Sequence, residues 1–164
     1  MKQSHFYQVA LIFAFIMMSL PFITNAQERN DPPEGWEVMY FNMGQAEYCS
    51  TSFDGGSDNL QIDLFKDGAS LNITCDNGNP KSCDLFIGTM KLPCNANEYG
   101  ELIINLKDNR VVDMLAAALA ENGQTAVLKY GDQTSKFEMR NQAAKNMTKA
   151  VQWIRTNPIG MELE

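Results

Sequence analysis

Beyond residue 26 the chain has no histidine; its single imidazole is His5. Ser-His-Asp and Cys-His mechanisms therefore cannot be assembled from the body of the protein. No serine is followed by lysine at the third position, so the Ser-x-x-Lys variant is missing too. The phosphate-cradling patterns G-x-x-x-x-G-K and G-x-G-x-x-G are absent. Metal-type cysteine pairs such as C-x-x-C do not occur, which removes zinc and thioredoxin-like chemistry. After the N-terminal stretch the most apolar segment, Leu115 to Ala120, is too short to span a bilayer. These gaps predict a protein that is not an enzyme and holds no cofactor and no metal.

What is present starts with an export signal. MKQSHFYQVALIFAFIMMSLPFITNA gives a charged start at Lys2, an apolar run from Val9 to Ile23, and small or short polar residues at Thr24-Asn25-Ala26. The run is shorter than the roughly 20 residues of a membrane helix, and Pro21 breaks it. This is a secretory pattern, with cleavage expected after Ala26. Removal of Lys2 takes the formal net charge from −7 to −8. Such a surface repels a phosphate backbone, which argues against nucleic acid, and it attracts a basic protein or a cation.

All four cysteines, Cys49, Cys75, Cys83 and Cys94, follow the signal, and an even count in an exported chain reads as disulfides. Three pairings are possible. Asp76-Asn77-Gly78-Asn79-Pro80 is dense in turn formers, so Cys75 and Cys83 can be brought face to face. The segment DLFIGTMKLP between Cys83 and Cys94 looks like one strand. Extended, it would hold its ends about 30 Å apart, against a limit of about 7 Å for bridged Cα atoms. Only a reversal at Gly88 would rescue that pair. The expectation is therefore Cys75–Cys83 and Cys49–Cys94, contributing roughly 2–3 and about 4 kcal/mol by chain entropy. The stretch CDNGNPKSC becomes a laced hairpin tip, with Asp76, Asn77, Asn79 and Lys81 as a candidate contact loop.

Residues 27–35, with Pro32-Pro33, form a flexible lead-in. Trp36, Val38 and Tyr40 alternate on one face of a first strand, and Tyr48 to Phe53 is a second. Leu60, Ile62 and Leu64, then Leu71, Ile73 and Cys75, alternate with polar residues around Lys66-Asp67-Gly68, a β-hairpin pattern. Asp84 to Met90 and Glu101 to Leu106 continue the strands. Asp108-Asn109 caps a helix from Arg110 to Glu121 that stops at Asn122-Gly123, with Val111, Leu115, Ala118 and Leu119 as its stripe. A second hairpin spans Thr125 to Met139. A last helix covers Asn141 to Thr156, with Ala143, Met147, Ala150, Val151 and Ile154 inward. The tail, residues 158–164, is expected to be loose. The reading is one α+β domain over 36–157: a curved antiparallel sheet of about six to eight strands, barrel-like or sandwich, closed by two helices and stapled by disulfides.

Asp54 and Asp58 form a candidate acidic loop around Gly55-Gly56, and Asp63 could approach them. The loop lacks the ordered ligand series of a calcium site, so solvated acids are the simpler reading. Asn72-Ile-Thr and Asn146-Met-Thr match the glycosylation triplet, which matters only in a eukaryotic source.

Gly35-Trp36 opening the domain, Cys49 close behind, and Cys94-Asn-Ala96 leading into Leu102 to Leu106 give an order of parts. It continues with a helix ending at Gly123, a hairpin and a terminal helix. That order resembles the invasion-associated protein B family of exported bacterial proteins. The resemblance implies a β-rich periplasmic or surface protein tied to envelope or host interaction, with no catalytic residues to carry over. The functional expectation is a non-enzymatic exported binding protein of the bacterial envelope with a protein partner. The alternative is an acidic periplasmic inhibitor or immunity-type protein that blocks a basic enzyme. Such an inhibitor would gather Asp54, Asp58, Asp76 and Asp84 on one protruding face. If export is correct, intact mass spectrometry of the protein from envelope or culture supernatant finds a chain starting at Gln27; one starting at Met1 refutes it.

Overall fold

Leu60, Ile62 and Leu64 are all fully buried, and Gln61 and Asp63 lie on the opposite face, as strict alternation requires. In the register Leu60 faces Ile73 and Ile62 faces Leu71. This hairpin is the centre of the computed structural model, which describes residues 31–121 and 125–164. The signal peptide, lead-in residues 27–30 and the expected Asn122-Gly123 helix stop lie outside the described residues.

The strands are β1 (Glu37–Phe41), β2 (Ala46–Asp54), β3 (Asn59–Leu64), β4 (Ala69–Thr74), β5 (Ser82–Ile87), β6 (Met90–Asn95), β7 (Leu102–Leu106), β8 (Thr125–Tyr130) and β9 (Gln133–Glu138). The helices are α1 (Asn109–Ala120), α2 (Gln142–Lys145) and α3 (Met147–Thr156). Two antiparallel sheets result, ordered β1-β2-β3-β4-β7 and β6-β5-β8-β9. The α+β class and antiparallel pairing stand. The described strands number nine, in two sheets and no closed barrel, because the predicted strand Asp84 to Met90 is really a hairpin. Gly88 takes a left-handed φ of 56° and turns β5 back into β6. Pro93 is tolerated there because β6 is an edge strand.

Asp108 caps α1 by accepting from the Arg110 N–H (2.9 Å). Its fully buried stripe is Val112, Leu115, Ala116 and Leu119; the predicted Val111 and Ala118 are only half-buried. The stripe is therefore rotated by about one residue. The predicted inward set of the last helix, from Ala143 to Ile154, is buried throughout. That helix breaks at Asn146, however, where φ −94° and ψ 6° divide α2 from α3. The cause is inward pull: Asn146 is buried and its Nδ2 donates to the Glu34 carbonyl (3.0 Å). Arg155 then clamps α3 to α1 through Asp113 (2.8 Å) and Asn109 (3.0 Å).

Both ends of the domain are tied rather than loose. The Trp36 indole N–H donates to the Ala143 carbonyl (2.9 Å), and the Thr51 hydroxyl donates to the Gly35 carbonyl (2.9 Å). Gly35 sits at φ +90° with room for no side chain, since a Cβ would lie 2.5 Å from the Ala143 nitrogen. Past the last β2–β3 pair, Cys49 opposite Leu64, the 158–164 segment takes β3's place. Glu47 N–H donates to Ile159 O (3.0 Å), Met161 N–H to Glu47 O (2.8 Å), and Lys66 N–H to Met161 O (2.7 Å). Leu163 N–H donates to the Asp67 carboxylate (2.7 Å). The tail is thus a strap, against expectation, because β2 extends beyond β3 and its backbone groups need partners.

Candidate functional site

The loops that carry the sequence-predicted residues gather at one end of the sheets. Asp54 closes the β2–β3 loop by accepting from the Gly56 N–H (2.7 Å). Asp58, in the same loop, is buried. Its carboxylate accepts from the Tyr130 hydroxyl (3.0 Å), from the Ser135 hydroxyl, and from the Asp76 N–H (3.2 Å). Tyr130 and Ser135 belong to β8 and β9, whereas Asp58 sits in the β2–β3 loop of the other sheet and Asp76 in the β4–β5 connection between the two sheets. One carboxylate therefore latches the two sheets together and holds the acidic loop against the candidate contact loop. Burial of a charge is tolerable because three donors satisfy it. Asp63 does not join them. It lies buried on the other face of β3 and accepts from Ser50 (2.6 Å), Gln61 (2.9 Å) and Asn72 (2.7 Å). Tyr130 and Ser135 carry no motif: a tyrosine at a strand end and a serine in a hairpin are too common to read as partners of a particular acid.

The contact loop is held by hydrogen bonds. Gly78 N–H donates to Cys75 O (3.0 Å), making a turn, and the Asn79 Oδ1 accepts from the Cys75 N–H (3.0 Å). Asn79 Nδ2 reaches Gly100 O (3.0 Å), and Lys81 O accepts from Ala96 N–H (2.9 Å). The side chains of Asp76, Asn77, Asn79 and Lys81 are exposed.

The expected disulfide pairing is not present, and β4 and β5 lie in different sheets, so CDNGNPKSC is not a laced hairpin tip. All four cysteines are buried free thiols. Cys83 stands directly opposite Cys94 across β5–β6, through the very reversal at Gly88 that the strand reading passed over. Cys94 lies beside β7, its Sγ 3.7 Å from the Ile103 carbonyl oxygen. Cys49 is on β2, three strands away from β7, or about 14 Å. That distance exceeds a disulfide's reach, so Cys49–Cys94 is excluded. The Cys75 thiol instead neighbours the Tyr130 hydroxyl.

Cys83 and Cys94 open onto a cleft of about 300 Å³, lined also by Asp84, Lys129 and Tyr130. Burial pushes every thiol up, Cys49 and Cys83 to about 12. At Cys83 the neighbouring sulfurs and Asp84 add to burial. At Cys75 the Asp58 charge adds and the Tyr130 hydrogen bond opposes. Protonated, enclosed thiols are poor nucleophiles and poor metal ligands. Among the described residues no group of three His, Cys, Asp or Glu side chains converges as metal ligands. No described helix is long and apolar enough to cross a membrane. Of the four acids an inhibitor would present, Asp58 is buried in the latch and Asp84 pairs with Lys91 (2.9 Å). Lys91 and Lys129 flank the Phe86 ring at 5.7 and 5.1 Å. Both glycosylation triplets are also spoken for, since Asn72 donates to Asp63 and Asn146 to Glu34. A scan of family models, a search of curated proteins and a search of solved structures each found no match.

Two outcomes follow from this geometry. Asp58→Ala strands three donors between the sheets and lowers unfolding free energy by about 3 kcal/mol in urea titrations, against about 1 for Tyr130→Phe; equal small losses would mean the latch carries no weight. For the reduced protein, the raised thiols fix a sign. Unfolded thiols lose their protons near 9, whereas folded Cys49 and Cys83 keep theirs to about 12. The folded state binds more protons in between, so stability present below pH 9 is lost as pH rises from 9 towards 12. Tyr48 and Tyr130, also raised, act in the same direction. The Cys49 share is the part of the alkaline slope that disappears in Cys49→Ala.

Proposed function

We propose that this chain is a non-enzymatic exported binding protein of the bacterial envelope, and that its protein partner docks on the outer edge of β1. The observation that carries the reading is the character of that edge. Among the described residues β1 is the last strand of its sheet, paired on one side only, to β2. Around it Met39 and Phe41 are 38% and 49% exposed, and Met43 projects fully into solvent. Asn42 and Met43 hold consecutive left-handed backbones, φ 50° and 56°, which cost free energy in residues with a Cβ. An apolar, strained, open edge is a liability for a protein that binds nothing, and it suits strand addition by an extended segment of a partner. The net charge of −8 after export favours a basic segment. The resemblance to the invasion-associated protein B family points to the same setting. The inhibitor reading has less support, because Asp58 is buried in the latch and Asp84 is half of an ion pair, which leaves Asp54 and Asp76 as its exposed acids.

A benzophenone amino acid placed at Phe41 tests the proposal in the exported protein. Irradiation of the envelope yields a discrete protein adduct that is absent when the probe sits at Glu98. No adduct above the Glu98 background removes β1 as the contact.

A further inference from the structure

We infer that Cys83 and Cys94 form the protein's single disulfide, a bridge across the β5–β6 hairpin, while Cys49 and Cys75 remain thiols. The export reading enters only as the natural source of the oxidant. The backbone argument does not depend on it. Cα atoms directly opposite in an antiparallel ladder lie about 4.5–5.5 Å apart, within the roughly 4.4–6.8 Å that a disulfide spans. Cys83 and Cys94 are such a pair, both buried on the same face of the hairpin. Closure needs side-chain rotation alone, because the Cys94 Sγ is now turned towards the carbonyls of Asn95 and Ile103, at 3.8 and 3.7 Å. The competing partners are worse placed. Cys49 sits three strands from β7. Cys75 also lies near Cys83, but it follows a strand of the other sheet, has no ladder pairing with β5, and sits in a loop fixed by the Asp58 bond to Asp76 N–H.

The oxidant is a disulfide, either glutathione disulfide or an oxidoreductase's Cys–Cys pair. One protein thiolate attacks a donor sulfur, giving a mixed disulfide and a donor thiolate. The second protein thiolate attacks the mixed disulfide at the protein sulfur, closes Cys83–Cys94 and releases the second donor thiolate. The two protons lost by the cysteines end on the two donor thiols, and two electrons pass to the donor. Burial keeps these thiols protonated in the folded state, so exchange is quick only before the core closes. The bridge is structural rather than catalytic.

Trypsin separates the four cysteines completely: cleavage after Lys66, Lys81, Lys91 and Lys107 puts each on its own peptide. The full chain is refolded from the reduced, unfolded state in a glutathione redox buffer, its free thiols are alkylated, and it is digested without reduction. The expected map links 82–91 to 92–107, with Cys49 and Cys75 alkylated and a mass loss of two hydrogens. A link from 82–91 to 67–81 overturns the inference, as does folded protein with four alkylated thiols. The double variant Cys49→Ala, Cys75→Ala can make only this bridge. Once circular dichroism shows it folded, two titratable thiols after refolding in the same buffer overturn the inference as well. Neither readout involves a partner, so failure here leaves the β1 proposal intact, and the reverse holds too.

Discussion

The arrangement depends on one buried carboxylate. Two antiparallel sheets meeting at a shared apolar core can slide or splay unless something directional fixes them, because hydrophobic contact has no preferred angle. Asp58 supplies the direction. It takes one bond from the backbone of the β4–β5 connection and two from hydroxyls of the other sheet, and each bond is strong because the acceptor is charged. The acidic loop, the Asp76 backbone, the Tyr130 hydroxyl beside Cys75 and the Ser135 hydroxyl are all tied to this latch.

Parts of the sequence with a strong period were legible, and the parts governed by single residues were not. Alternation from Leu60 to Ile73 fixed faces and register because one side had to be dry. The inward set from Ala143 to Ile154 held for the same reason at helical spacing. Gly88 marks the miss: a reversal there was the one rescue of the Cys83–Cys94 pair, the surrounding apolar residues favoured a continuous strand, and Gly88 is the turn that doubles the strand back. One residue changed the strand count and the cysteine partners together. Asn146 broke a helix whose periodicity gave no warning, because the pull comes from a carbonyl more than a hundred positions earlier. The strap beyond Asn157 was equally hidden, since backbone pairing leaves no trace in side-chain pattern.

The candidate site divides along the same line. Composition placed Asp54, Asp58 and the 76–81 loop as possible contacts, and they do lie together. Their roles differ, however, because burial is a property of the assembled sheets. Asp58 became a structural acceptor, Asn79 a brace between loops, and Asp84 half of an ion pair with Lys91. Among the described residues the edge at Met39, Phe41 and Met43 is apolar and exposed; the sequence offered a sheet edge as a contact without telling which strand forms it.

The reversal at Gly88 bears on the order of events during folding. Its contacts are among the most local in the molecule, whereas β4 must wait for β7 and β5 for β8, each across a long intervening chain. Short hairpins close in microseconds, long before such distant pairings. The turn at Gly88 therefore brings the two cysteines opposite each other through a local pairing, without waiting for the distant ones.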